Sequence, residues 1–291
     1  MNNWKLIALL MVGTTALADE PVNRTLDAET DGTVTVENVA GSVEVRGWSR
    51  NQVEVTGTLG DRVEELVFER DGDEIIIEVK VPRRHSGGIA SDLSINVPER
   101  STIEVDTVSA DIEVADVLGE QELESVSGDI TTEAHAANIE LGTVSGDIEV
   151  QGDNQPIRSE LTTVSGDIDA DSLSGEIGIE AVNGDVSAIN GSFSRARVET
   201  VNGDIVFHAG LVGDGRLDVE TINGTVDIDF GGDVSARFDI ETFNGDIRNC
   251  FGPEPVRTSK YAPGRELRFT EGDGDARVSI QTLNGNLRLC K

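Results

Sequence analysis

Cys250 and Cys290 each stand five residues after the glycine of a recurring motif, at Gly245 and Gly285. They therefore occupy one position in two copies of the same unit. If those copies stack, the side chains come within the reach of a disulfide, and an exported chain would meet the oxidant that makes one. The alternative is a pair of free thiols. A metal-binding or catalytic role would call for CxxC spacing or a neighbouring histidine, and the sequence has neither.

A second constellation is a column of acids: Asp111, Asp129, Asp147, Asp167, Asp185, Asp204 and Asp246, interrupted by Thr225 and ending at Asn286. Stacked carboxylates repel, and calcium with its oxygen ligands could relieve them. A short polar side chain that accepts a backbone N–H in a turn explains the column more simply. Calcium-binding repeats are also far denser in Gly and Asp. No metal site or cofactor is assigned.

The third constellation is the segment 251–275, with three prolines, the sole tyrosine, Tyr261, and the cations Arg257, Lys260, Arg265 and Arg268. From Arg248 to Lys291 there are eight basic and five acidic residues, in a chain of net charge −32. Tyrosine beside arginine suits sugar or phosphate groups on a projecting loop. The competing reading is a cap whose cations offset neighbouring acids. Lys80, Arg83, Arg84 and His85 form a weaker basic cluster, read as a solvated loop. His85, His135 and His208 are scattered, and no nucleophile-elbow or phosphate-loop pattern occurs. The chain reads as a non-enzyme; a β-helical polysaccharide lyase or hydrolase is the other class, by analogy of fold alone.

What must position these residues is an internal repeat. From Ser101 onward one string recurs: aliphatic, any, Thr/Ser/Ala, aliphatic, Ser/Asn, Gly, Asp, Ile/Val. Nine copies run from Val105–Ile112 to Ile280–Leu287, with their glycines at Gly128, Gly146, Gly166, Gly184, Gly203, Gly224, Gly245 and Gly285, and Ala110 in the first. Apolar and polar residues alternate on both sides of each Gly, which is strand periodicity. Asn-Gly steps such as Asn183-Gly184 would suit antiparallel hairpins and a meander. A period near 20 with like residues at like positions instead favours a parallel β-solenoid of about nine stacked coils. In that arrangement each Gly turns a corner at positive φ. Val126, Val144 and Val164, over Ile130, Ile148 and Ile168, form an apolar spine inside. The Ser/Asn column reads as a hydrogen-bonded ladder.

Residues 19–100 are strand-rich but irregular and read as an N-terminal cap over an otherwise open end; within them Val34–Val45 resembles a degenerate copy. The repeats fill 101–291, with the insertion at 251–275. Residues 1–18 read as a secretory signal: Lys5, the apolar run Leu6–Val12, then Ala16-Leu17-Ala18. No apolar run approaches a membrane span, so the expected location is periplasmic or extracellular. Only 4 % of residues are aromatic, which predicts a thin aliphatic core. The charge disfavours nucleic acid as a partner.

Asp92-Leu93-Ser94-Ile95-Asn96-Val97-Pro98, Val39-Ala40-Gly41-Ser42-Val43-Glu44-Val45 and the repeated Thr-Val-Ser-Gly-Asp-Ile strings resemble the bacterial DUF4097 family of β-strand-repeat proteins, which carries an adhesin label. The resemblance covers nearly all of the chain after residue 18. It implies a β-solenoid at the cell envelope, acting as a scaffold or adhesin-like binder of an envelope protein or glycan, with no catalytic residues to carry over.

Overall fold

The computed structural model describes residues 20–84, 87–259 and 263–291. The expected signal segment, His85, Lys260 and Tyr261 lie outside them. Among the described residues every regular element is a strand.

Each copy of the repeat after the first contributes two strands that flank its Ser/Asn-Gly corner, as in Gln121–Ser125 and Ile130–Ala134, or Ile139–Thr143 and Ile148–Gly152. The two strands of one copy do not close into a hairpin. Instead each pairs, parallel and in register, with its counterpart in a neighbouring copy, so that Leu123, Leu141, Leu161, Ile179 and Val198 face one another in turn. Beyond the corner Ile130, Ile148, Ile168, Val186 and Ile205 do the same. These residues are all buried. Identical periodicity makes the columns: alternate residues point inward, and equal corner lengths keep the phase from copy to copy.

The sheet as a whole is mixed, because antiparallel strands finish both ends. At the N-terminal end Thr33–Trp48 lies in register with Thr102–Ala115, pairing Val43 with Ile112. Its other edge is taken by Glu74–Lys80 and Ser91–Pro98, which come later in the chain. Gln52–Leu59 then pairs antiparallel with Ser91–Pro98, Glu20–Asp27 with Gln52–Leu59, and Glu65–Asp71 with Glu74–Lys80.

The C-terminal end repeats this device. Ala276–Asn284, in the last copy, pairs with Ile205–Asn223 on one side and Ala236–Asn244 on the other. Spatial order therefore departs from chain order at both ends, where simple sequential stacking had been expected. The physical gain is the same in both places. The first and last copies have both edges hydrogen-bonded, and the outer copy is covered by an antiparallel strand instead of being left as a bare edge. At the C-terminal end that covering strand is Arg265–Glu271, inside the insertion, with Val256–Arg257 paired to it.

The core is mostly Val, Ile, Leu and Ala, as the composition predicts. Four of the eight phenylalanines gather at the C-terminal end, where Phe238 stacks on Phe269 at 4.4 Å between centroids and Phe230 and Phe251 pack around the pair. Aromatic volume is spent where the last copies and the antiparallel cover must be sealed together.

Candidate functional site

The corner residues come first because they set the outer surface. The repeat glycines were expected at positive φ. Among the eight only Gly224 has it, at 155°. Glycine is needed for another reason: a Cβ built on Gly184 would collide with the carbonyl oxygen of Gly166. Gly203 would meet Gly184 in the same way, and Gly285 would meet Gly224. Successive corners are nested backbone against backbone, with no room for a methyl group between them.

The Asp column is a ladder across copies. The carboxylate of Asp111 accepts the backbone N–H of Asp129 at 3.1 Å, Asp129 that of Asp147 at 2.9 Å, and Asp147 that of Asp167 at 2.8 Å. Asp167 and Asp185 continue it, and Asp204 accepts from Thr225. This is the predicted turn chemistry, with the donor one copy further on. In the last copies Asn286 does the same work for the N–H of Asp246 at 3.0 Å. The Asn half of the Ser/Asn column is also a ladder: Asn202 donates to Asn183, Asn223 to Asn202, Asn284 to Asn223 and Asn244 to Asn284.

The expected interior column lies outside. Val126, Val144 and Val164 are 47, 46 and 41 % exposed, and Val108, Val182, Ile222, Leu283 and Phe243 at the equivalent position are likewise exposed. The residue before each is the buried one. Thr143, Thr163 and Thr242 point inward, and their hydroxyls donate to the carbonyls of Gly128, Gly146 and Gly285 on neighbouring copies. A threonine with its hydroxyl satisfied can occupy the core, and the aliphatic residue after it is turned to solvent.

These aliphatic side chains line one wall of a groove of about 640 Å³ that crosses six copies, from Val164 through Val182, Val201, Ile222 and Leu283 to Phe243. The opposite wall carries Glu180, Glu199, Glu220 and Glu241, two residues earlier on the same strands, and the buried threonines form the floor. Period-two geometry requires this: residues two apart share a face, so four of the six copies set a carboxylate beside the apolar side chain, while Thr162 and Gln281 hold that position in the other two. An isolated exposed valine is ordinary, but an unbroken apolar column is a candidate contact surface.

The insertion meets the end of that groove. Gly264 lies beside the carbonyls of Thr242 and Phe243, and Thr258 bonds to Gly264. Of the predicted loop cations, Arg265 pairs with Asp246 at 2.7 Å and Arg268 with Asp239 at 2.9 Å. The hydrogen bond from Arg268 to Asp239, with the charges of Asp239 and Glu266, holds its guanidinium pKa above the usual value. Arg257 is exposed on its short strand. Cys250 and Cys290 are joined, with their Cα atoms 4.9 Å apart. His135 lies 3.4 Å from Asp153 and His208 3.6 Å from Asp227, on separate rungs.

No curated protein matches the chain in sequence. Among solved structures, a "Putative lipid binding protein" from Parabacteroides distasonis ATCC 8503 superposes with a TM-score of 0.49 at 14 % identity, covering 92 % of this chain and 96 % of that one. A "putative adhesin" from Bacteroides fragilis NCTC 9343 gives 0.47 at 8 % identity, covering 94 % and 98 %. The family model described as Toastrack DUF4097 matches residues 33–289, which takes in the repeats and the groove and leaves out the strand Glu20–Asp27. The chain is a member of the DUF4097 (Toastrack) family.

Proposed function

We propose that the chain is a non-catalytic, exported scaffold of the cell envelope. In this reading its nine repeat copies form one continuous solenoid, and the groove binds a partner segment that is amphipathic and basic. The exposed aliphatic column beside a line of glutamates carries the proposal. An apolar stripe buries best against another apolar stripe, at about 25 cal/mol per Å² removed from water, and the glutamates select lysine or arginine on its flank. A helix presents such a stripe with a pitch of about 5.4 Å, close to the roughly 4.8 Å between paired strands, so its turns can seat between successive aliphatic residues. The Cys250–Cys290 link suits an oxidising compartment outside the cytoplasm. The insertion, whose covering strand carries Arg265 and Arg268, bounds the Phe243 end of the groove and is the proposed second contact, with Arg257, Lys260 and Tyr261 as its further candidate ligand residues.

The test is fluorescence anisotropy with two labelled amphipathic peptides, one patterned with leucine and lysine, the other with leucine and glutamate. The basic peptide should bind and the acidic one should not. Ile222→Ser with Leu283→Ser should weaken binding by about tenfold or more, equivalent to about 1.4 kcal/mol, while Asp169→Asn on a different strand should leave it unchanged. Equal binding by wild type and the Ser pair would mean that only bulk charge is being read, and the groove assignment would fall.

A further inference from the structure

Four arginines scattered along the sequence become neighbours in the sheet. Register sets Arg195 opposite Arg216, Arg216 opposite Arg277, and Arg277 opposite Arg237. They thus occupy one position on four successive rungs, roughly 4.8 Å apart, with all four side chains exposed. The column exists because the last copy is inserted between the two that precede it, which places Arg277 between Arg216 and Arg237. Like charges directly opposite each other destabilise a sheet, and nothing in the fold demands this arrangement.

Arg216 is neutralised by Asp218 on its own strand. Among the described residues Arg195, Arg237 and Arg277 have no carboxylate within ion-pair distance, in a chain with 55 acidic residues against 23 basic ones. Elsewhere on the same face the pairing is made: Arg158 meets Glu160 and Arg197 meets Glu199. Three of the four, Arg216, Arg237 and Arg277, line a cavity of about 600 Å³ to which Ser279 and Thr270 add hydroxyls, and whose one lining carboxylate, Asp239, is taken up by Arg268 of the covering strand. Guanidinium groups present fork-shaped pairs of donors that match phosphate oxygens, and several in a row suit several anionic groups in a row.

We propose that this column is a binding site for a ligand carrying two or more closely spaced phosphate groups, distinct from the apolar groove and independent of what the groove binds. Its selectivity comes from the local field. At physiological salt the surrounding negative charge is screened over about 8 Å, so a compact anion among the arginines feels them first.

Isothermal titration with tripolyphosphate, in about 0.15 M NaCl so that the surrounding negative charge is screened over about 8 Å, should show binding that inorganic phosphate matches only weakly. Arg237→Gln with Arg277→Gln should reduce the affinity about tenfold or more, since each change removes charge-assisted hydrogen bonds to the phosphates. Arg158→Gln, in the same column but outside the run of four, should not. Removing two like charges relieves repulsion, so the double variant should melt no lower than wild type, which separates a lost site from a lost fold. Cosedimentation with phosphatidylcholine vesicles, with and without cardiolipin, identifies the source: pelleting that depends on both cardiolipin and Arg237 with Arg277 marks a lipid-borne phosphate, and its absence beside tripolyphosphate binding marks a soluble one. Failure of wild type to bind tripolyphosphate, or equal binding by the double variant, overturns the site.

Discussion

Asn284 donates its side-chain N–H to the side-chain oxygen of Asn223, 61 residues earlier, at 3.0 Å, while Asn244, which lies between them in sequence, is bonded to the far side of Asn284. The ladder follows space and not chain order, and it marks the last copy as an inserted one. The chain has to leave a gap after residue 229 and come back to fill it, with the insertion making the return.

That route makes the Cys250–Cys290 link consequential. It spans a sequence separation of 40, so in the chain-entropy view it removes about 4 kcal/mol of freedom from the unfolded chain. Cys250→Ser with Cys290→Ser should lower Tm by several degrees and make the segment 251–275 the first site cut by protease. Wild type in reductant should behave alike. An unchanged Tm in both would mean that the inserted copy is held by its sheet pairing alone.

Nested corners give a sharp contrast between two glycines. Gly184→Ala puts a methyl group into the Gly166 carbonyl, whereas a Cβ at Gly142 meets nothing within 4 Å. The first change should cost about 2–3 kcal/mol or more, as overpacking against backbone does. The second should be neutral or stabilise by up to about 1 kcal/mol through the unfolded chain. Urea melts of the two variants check this, and similar midpoints would contradict the nested geometry.

Part of this was legible in the sequence and part was not, for identifiable reasons. Ile130, Ile148 and Ile168 are placed inside by alternation and by chemistry together, and both are right. At Val164 the two disagree. Alternation from Leu161 puts Thr163 inward and Val164 outward, while hydrophobicity alone puts Val164 in the core. Alternation wins: the Thr163 hydroxyl has the Gly146 carbonyl to bond, but Thr221 and Thr282 at the same position are buried with no hydrogen-bond partner among the described residues and Ile222 and Leu283 still face out, so strand phase decides. Reading the groove from sequence therefore required trusting phase over side-chain type. The glycine requirement was visible, but its cause was not, since the colliding carbonyl belongs to another copy. The arginine column was hidden for a related reason. Near-identical copies leave register and neighbour order weakly specified by local pattern, so nothing in residues 276–291 announces that Arg277 lies between Arg216 and Arg237. The candidate loop was visible as a local change in composition, but Arg265 and Arg268 sit in a strand whose acidic partners lie up to 29 residues away.

The Asp ladder separates hydrogen bonding from metal binding. Asp147 is needed as an acceptor for the N–H of Asp167, and Asn286 shows that an amide oxygen serves equally well. Asp147→Asn should therefore leave Tm close to wild type, while Asp147→Ala should cost about 1 kcal/mol, the usual net value of a hydrogen bond. Added calcium should move none of the three in thermal melts. A calcium-dependent rise in wild type that Asp147→Asn abolishes would replace turn chemistry with a metal column.

Charge supplies the last prediction. Parallel register lines up carboxylates as it lines up isoleucines: Glu180 faces Glu199, Glu199 faces Glu220, and the Asp ladder runs beside them. Neighbours roughly 4.8 Å apart in a chain of net charge −32 repel in the folded state more than in an expanded one. Salt shortens the screening length from about 10 Å at 0.1 M to about 3 Å at 1 M, so Tm should rise steadily with NaCl over that range. Glu199 is already held by Arg197, so the variant to test is Glu180→Gln. Glu180 faces Glu199, and the change removes one close repulsion without breaking an ion pair among the described residues; it should raise Tm at low salt and flatten its salt dependence. If the variant and wild type instead keep parallel salt curves, the repulsion is spread over the whole surface and the glutamate wall carries no special share of it.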